Sequence, residues 1–143
     1  MMAKYRFFMG AVPVLALIVG AATLLAKDPK VSGVPEYNPA AVVHTRVQVV
    51  EFKVFPANDP LQGAHVFVKT GSGETLDVFL GPAKYVKIFN LPLNAGDRID
   101  LLGSEVKFNG ANLVLGRELT KGAVTMILRD DNGTPMWLDW MED

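Results

Sequence analysis

The sequence predicts a mostly β domain, a small closed barrel of five strands with one short helix. Three observations carry that expectation. Apolar and polar residues alternate along Ala64–Lys69 and again along Thr75–Leu80 on either side of Gly71-Ser72-Gly73, the pattern of a half-buried hairpin. The run Val42 to Phe55 alternates as Val43, Thr45, Val47, Val49 and then slips by one to Val50, Phe52, Val54, as a long strand does when it bulges and bends to serve two partners. A single short helical stretch then separates these three strands from two more.

The elements follow in order. Met1 to Arg6 carries Lys4 and Arg6, and Phe7 to Ala26 runs without a charge. At about 1.5 Å per residue this run spans the roughly 30 Å hydrocarbon core of a bilayer. Residues 1–26 therefore read as a membrane anchor or a cleaved signal peptide, with Gly20 and Ala22 supplying the small residues a cut before Thr23 requires. Both readings put the N-terminus inside and the domain outside, on the periplasmic side of an inner membrane. Residues 27–41, with three prolines and no periodicity, read as a linker, and residues 42–143 as the folded domain.

Within that domain, Pro56 to Gly63 is rich in turn formers and leads into the hairpin. With a three-residue loop, Thr70 faces Glu74, Val68 meets Leu76, Val66 meets Val78 and Ala64 meets Leu80, all on one face. After Gly81-Pro82 a helix is expected over Ala83 to Asn90, burying Tyr85 or Val86 with Phe89 and ended by Leu91-Pro92. Arg98 to Phe108 is a strand with Ile99, Leu101, Val106 and Phe108 as core candidates and a phase break at Gly103-Ser104. Asn109-Gly110 signals a tight hairpin to Asn112–Leu119. Val124 to Arg129, a turn at Asp130–Gly133, and Pro135 to Trp140 complete the chain as a C-terminal hairpin extension. Three strands, a helix and two strands make the order of an OB-like Greek-key barrel.

Several phrases, Leu80-Gly81-Pro82-Ala83-Lys84-Tyr85-Val86, Ala95-Gly96-Asp97-Arg98-Ile99-Asp100-Leu101-Leu102-Gly103-Ser104 and Leu128-Arg129-Asp130-Asp131-Asn132-Gly133, give the stretch from Val42 to Trp137 a further likeness. It resembles a group of small exported bacterial OB-like proteins of poorly defined function. The resemblance implies a bacterial barrel of this kind and no catalytic residue.

Composition narrows the function. Setting residues 1–26 aside removes two basic residues and no acid, so the net charge moves from −1 to −3. With lysines scattered singly, nucleic acid is a poor partner. The absence of cysteine removes disulfides, catalytic thiols and thiolate zinc sites. His44 and His65 lack the companion ligands of a metal site. The acids Asp97, Asp100 and Glu105, and the pair Asp130-Asp131, fall at turns, where Asp bonds its own backbone. Ser32, Ser72 and Ser104 lie in no nucleophile elbow, and no phosphate loop is present. The expectation is a binding or assembly module without cofactor or metal and not an enzyme. Its leading form is an accessory subunit in the cell envelope, joined to the membrane through Phe7–Ala26 and docked on a protein partner.

The outer hairpin face carries His65, Phe67, Lys69, Asp77 and Phe79, and OB barrels hold ligands on this face. These five are the candidate ligand- or partner-binding residues, with Tyr85, Trp137 and Trp140 as a candidate interface. The alternative function is an OB-type site for oligonucleotide or saccharide. A further alternative is that the tail, with Met136, Trp137, Leu138 and Trp140, folds over Phe67 and Phe79 and makes them a second core.

Overall fold

A computed structural model of the protein describes residues 33–140. The hydrophobic segment expected to be an anchor or signal, and the first part of the expected linker, lie outside these residues. Among the described residues no helix is long and apolar enough to cross a membrane.

The chain runs β1 (Val42–Phe55), β2 (Gly63–Lys69), β3 (Thr75–Gly81), α1 (Ala83–Lys87), β4 (Arg98–Phe108), β5 (Ala111–Lys121) and β6 (Val124–Ile127). The sheet order is β3-β2-β1-β4-β5-β6, and a parallel pairing of β3 with β5 (Asp77–Leu113, Val78–Val114, Phe79–Leu115) closes the first five strands into a barrel. Strand order, parallel closure and a helix between β3 and β4 together are the OB topology. β6 is an extra strand on the outer edge of β5.

The bend in β1 falls where the alternation slips. Val42–Gln48 pair with β4, Gln48–Phe55 pair with β2, and the register with β2 shifts between Val49 and Glu51. Hence one strand reaches two neighbours, as closure of a five-stranded barrel requires. In the β2–β3 hairpin the loop closes through Thr70 N–H to Glu74 O (2.8 Å) and Gly73 N–H to Thr70 O (3.0 Å), with Gly73 alone of the loop residues at positive φ. Val66–Val78 and Val68–Leu76 pair as the alternation predicts, but a bulge beyond His65 sets Ala64 against Gly81 instead of Leu80. Ala64, Val66, Val68, Leu76, Val78 and Leu80 all point into the barrel and are buried with Val47, Val49, Ile99, Leu101, Val114 and Leu119.

The helix is shorter than the sequence predicts. It ends at Lys87, and Asn90 lies at φ 51°, because Pro92 disfavours helix at Leu91 and the chain leaves through a left-handed residue. Pro82 is its N-cap with ψ 136°, one position before the first turn, and Tyr85 and Val86 both become buried. Gly81 ends β3 at φ 122°, and a Cβ there would stand 2.7 Å from the Trp137 ring, so backbone and packing both demand glycine. At the tip of β4–β5, Asn109 (φ 50°) and Gly110 (φ 81°) make a two-residue type I′ turn. The expected break at Gly103-Ser104 is a register shift whose extra residue, Arg117, sits on β5, with Gly103 facing Gly116.

Two expectations for the periphery change. Beyond β6 the described tail forms one isolated bridge, Arg129–Pro135, and continues as turns, so the C-terminal hairpin is reduced to β6 and this bridge. The turn between them is held by Asp130 Oδ1, which accepts the N–H groups of Asn132 and Thr134, each at 2.9 Å. The end of the proline-rich stretch, in turn, packs on the barrel. Tyr37 is buried, and Asn38 exchanges two hydrogen bonds with the buried Ser104: N–H to Oγ at 2.9 Å, and Oγ–H to the carbonyl at 2.8 Å.

Candidate functional site

Strand alternation puts His65, Phe67 and Lys69 of β2 on the outer side of the barrel, facing Phe79, Asp77 and Thr75 of β3. The five residues predicted for this face therefore do share it. They do not form an open platform. His65 is fully buried and Phe79 is 4% exposed, Phe67 and Asp77 are half-buried, and Lys69 is exposed.

The cover comes from the β1–β2 connection. Asp59 Oδ1 accepts the Leu61 N–H (2.8 Å) and its carbonyl accepts the Gln62 N–H (3.0 Å), a local Asx turn that folds the loop inward and buries Leu61. The Leu61 carbonyl lies 2.7 Å from His65 Nε2, while Asp77 Oδ1 lies 2.7 Å from Nδ1. Phe55, at the end of β1, stacks on the imidazole at 3.7 Å and 13°, and Phe79 meets it edge-on at 5.3 Å. Phe79, Leu61, Leu113, Leu115 and Tyr37 form a second apolar cluster, against which Phe55 and Trp137 pack.

The hydrogen-bond inventory fixes what this histidine can do. A carbonyl only accepts, so Nε2 carries a hydrogen; the Asp77 carboxylate is matched either by a second N–H at Nδ1 or by holding the shared proton itself. Both ring nitrogens are engaged, both ring faces and an edge are packed or buried, and no lone pair is open to a metal or a substrate. The group is a buried, satisfied polar network that locks the first loop onto the hairpin. Among the described residues no three His, Cys, Asp or Glu side chains converge to hold a metal ion.

The second cluster hides a cation, Arg129, that is absent from the residues predicted for a site. Arg129 is 6% exposed, its guanidinium lies 5.2 Å from the Trp137 ring and 5.9 Å from the Tyr37 ring, and Nη1 donates to the Gly133 carbonyl at 2.9 Å. Burial pushes its pKa down to about 10, opposed by the Tyr37 hydroxyl. Its Nε and the Tyr37 hydroxyl are buried without a hydrogen-bond partner among the described residues. Cation–π contacts to two rings replace the carboxylate that a buried arginine ordinarily takes. Its only sequence signal is an arginine placed directly after a strand-like apolar run.

The predicted interface residues Tyr85, Trp137 and Trp140 do come together, at the helix end of the barrel. The Tyr85 ring has Phe89 at 5.3 Å, Trp140 at 5.7 Å and Trp137 at 5.8 Å, and its hydroxyl donates to the Ile127 carbonyl at 3.1 Å. Burial pushes the Tyr85 phenol pKa up. Tyr85 is the buried hub, whereas Trp140 (47%) and Ile127 (44%) are open, and Met136, whose N–H bonds the Leu128 carbonyl, is open as well. Among the described residues of the tail, Trp137 is the one that packs on the outer hairpin cluster. The tail's other tryptophan serves the helix. A shallow groove of about 420 Å³ between Pro35–Asn38 and the β4–β5 tip mixes Glu36 and Glu105 with Lys107 and gathers no catalytic set.

Topology, closure and the self-filled outer face define a small OB-type barrel domain. Residues 42–126, from the first residue of β1 into β6, match the MamS/MamX magnetosome protein family, and the chain belongs to that family. No curated protein matches the chain. The matched span holds the whole barrel and α1, while Trp137 and Trp140 lie beyond it.

Proposed function

We propose that this protein is a magnetosome-associated accessory module that acts by docking on a protein partner and catalyses no reaction. Phe7–Ala26 delivers it across a membrane and, when retained, holds it there with the barrel on the outer, periplasmic-type side. Family membership supports the magnetosome setting. The observation that carries the docking role is the open half of the aromatic cluster at the helix end. Trp140 packs half-exposed on the buried Tyr85 ring, whose hydroxyl bonds the carbonyl of the exposed Ile127, and an aromatic side chain anchored on a buried hub is the usual form of an interface hot spot. The OB ligand face is a weaker candidate, because an oligonucleotide or saccharide stacked there would have to displace Phe55 and Leu61 from His65.

The test is proximity cross-linking of the full chain in its native membranes, with the partner identified by mass spectrometry. A defined cross-linked membrane protein is expected with the wild type and with Phe67→Ala, and is lost with Trp140→Ala while the barrel stays folded. Unchanged cross-linking in Trp140→Ala, or salt-sensitive oligonucleotide binding abolished by Phe67→Ala, would overturn the proposal.

A further inference from the structure

The second half of β1 is an open edge. On its β4 side the last bonds are Val49 N–H to Asp97 O (2.7 Å) and Gly96 N–H to Val49 O (2.8 Å), and β4 itself goes no further than Arg98, opposite Gln48. Among the described residues, Glu51 to Phe55 of β1 pair with β2 alone, and no described strand occupies the other side. The residues there are exposed, including Val50 (43%), Phe52 (40%) and Val54 (52%). A free strand edge with apolar side chains is a template for another strand.

Its sequence specifies which strand. Val50-Glu51-Phe52-Lys53-Val54 reads as a palindrome in chemical character: apolar, acid, aromatic, base, apolar. Two copies laid antiparallel about Phe52 place Val50 against Val54, Glu51 against Lys53 and Phe52 against Phe52. The three central positions are matched in a regular ladder, with Val50, the residue left unpaired by the bulge in β1, at the rim against Val54, and both charge pairs are attractive. A slip of one residue puts Glu51 or Lys53 opposite Phe52. A slip of two puts Glu51 opposite Glu51 or Lys53 opposite Lys53, and a parallel pairing opposes like charges throughout. The charges thus sit on one face, with Phe67 and His65 of β2, and Phe52 and Val54 sit on the other, with Val66 and Ala64. The pairing is isologous and closes on itself.

We infer that the free edge of β1 pairs antiparallel with the same edge of a second copy of this chain, with Phe52 on the two-fold axis and Glu51 bridging Lys53 of the second copy. The result is a continuous sheet β3-β2-β1-β1-β2-β3 across two barrels. The edge of β6 has no such pattern, because Val124-Thr125-Met126-Ile127 carries no charge to set a register. The inference goes beyond the docking reading and uses a different surface, so Trp140→Ala leaves self-association intact.

The full chain in density-matched detergent, followed by sedimentation velocity, supplies the test. A concentration-dependent dimer is expected. Glu51→Lys and Lys53→Glu each turn two attractive pairs into repulsive ones and weaken the dimer by about tenfold or more, and the double exchange restores it. Because the chain has no cysteine, Phe52→Cys gives a single thiol that oxidises to a disulfide-linked dimer, whereas Val124→Cys on the β6 edge does not. A monomer at all concentrations, single variants that associate like the wild type, a double exchange that fails to restore association, or linkage through Val124→Cys alone would each overturn the inference. Circular dichroism confirms that the exposed-charge variants remain folded.

Discussion

Phe79→Ala separates a second core from a binding platform. The ring is 4% exposed and packs with Tyr37, Leu61, Leu113 and Leu115 while meeting the His65 imidazole edge-on at 5.3 Å. Removing a buried phenylalanine costs about 3–5 kcal/mol, transfer and cavity contributions together. A domain of this size has about 5–15 kcal/mol in total, so from a mid-range value of about 10 kcal/mol the variant should retain about half to 70% and melt about 15 °C or more lower. Phe67→Ala is the control on the same face. That ring is half-buried, its nearest aromatic neighbour is Phe55 at 6.3 Å, and its loss should cost about 1 kcal/mol. Urea unfolding of the full chain followed by tryptophan fluorescence reads both, since Trp137 packs against this cluster. The m-value should hold while the midpoint of Phe79→Ala falls well below that of Phe67→Ala. Equal midpoints for wild type and Phe79→Ala would refute the second core.

Two further predictions concern the periphery. Ser104→Ala removes the hydroxyl that both accepts from and donates to Asn38, so it should cost about 1–3 kcal/mol and, in hydrogen exchange, deprotect residues 36–41 before the barrel strands. The Lys121 ammonium, then the Asn94 N–H, hold the Asp97 carboxyl below the usual carboxylate range. A lowered folded pKa stabilises above the unfolded value and the gain is lost as pH falls through the folded one. The wild type should therefore exceed Asp97→Asn in stability at pH 6, with the gap closing below about pH 4 in acid-unfolding curves.

Local chemistry made much of the barrel readable. The alternation slip at Val49–Val50, the Gly71-Ser72-Gly73 loop and the Asn109-Gly110 turn each depend on a few adjacent residues, and each appears where the pattern places it. The inner face of the hairpin was equally legible, because period-two burial needs no knowledge of what lies across the barrel. The outer face was not. Its cover depends on Phe55, Leu61 and Tyr37, which lie at a strand end, in a loop and in a proline-rich segment, places where polarity and turn content suggest exposure. Burial of Arg129 depends on two rings, 92 and 8 residues away along the chain, and no local pattern encodes a meeting of that kind. The Tyr85–Trp137–Trp140 cluster lay between these extremes: the aromatic residues stood out as a candidate interface, and only the fold showed them in contact, with Tyr85 as the hub and Trp140 as the open rim.

The closed outer face is tested most directly at the His65 ring, by proton-detected nitrogen NMR of the histidine side chains in the full chain, with the exposed His44 assigned by His44→Gln. A ring nitrogen that donates to the Leu61 carbonyl in a fully buried site should show a resolved, slowly exchanging N–H resonance for Nε2. Fast exchange with water at that nitrogen would mean that the loop does not cover His65 and that the hairpin face is open after all.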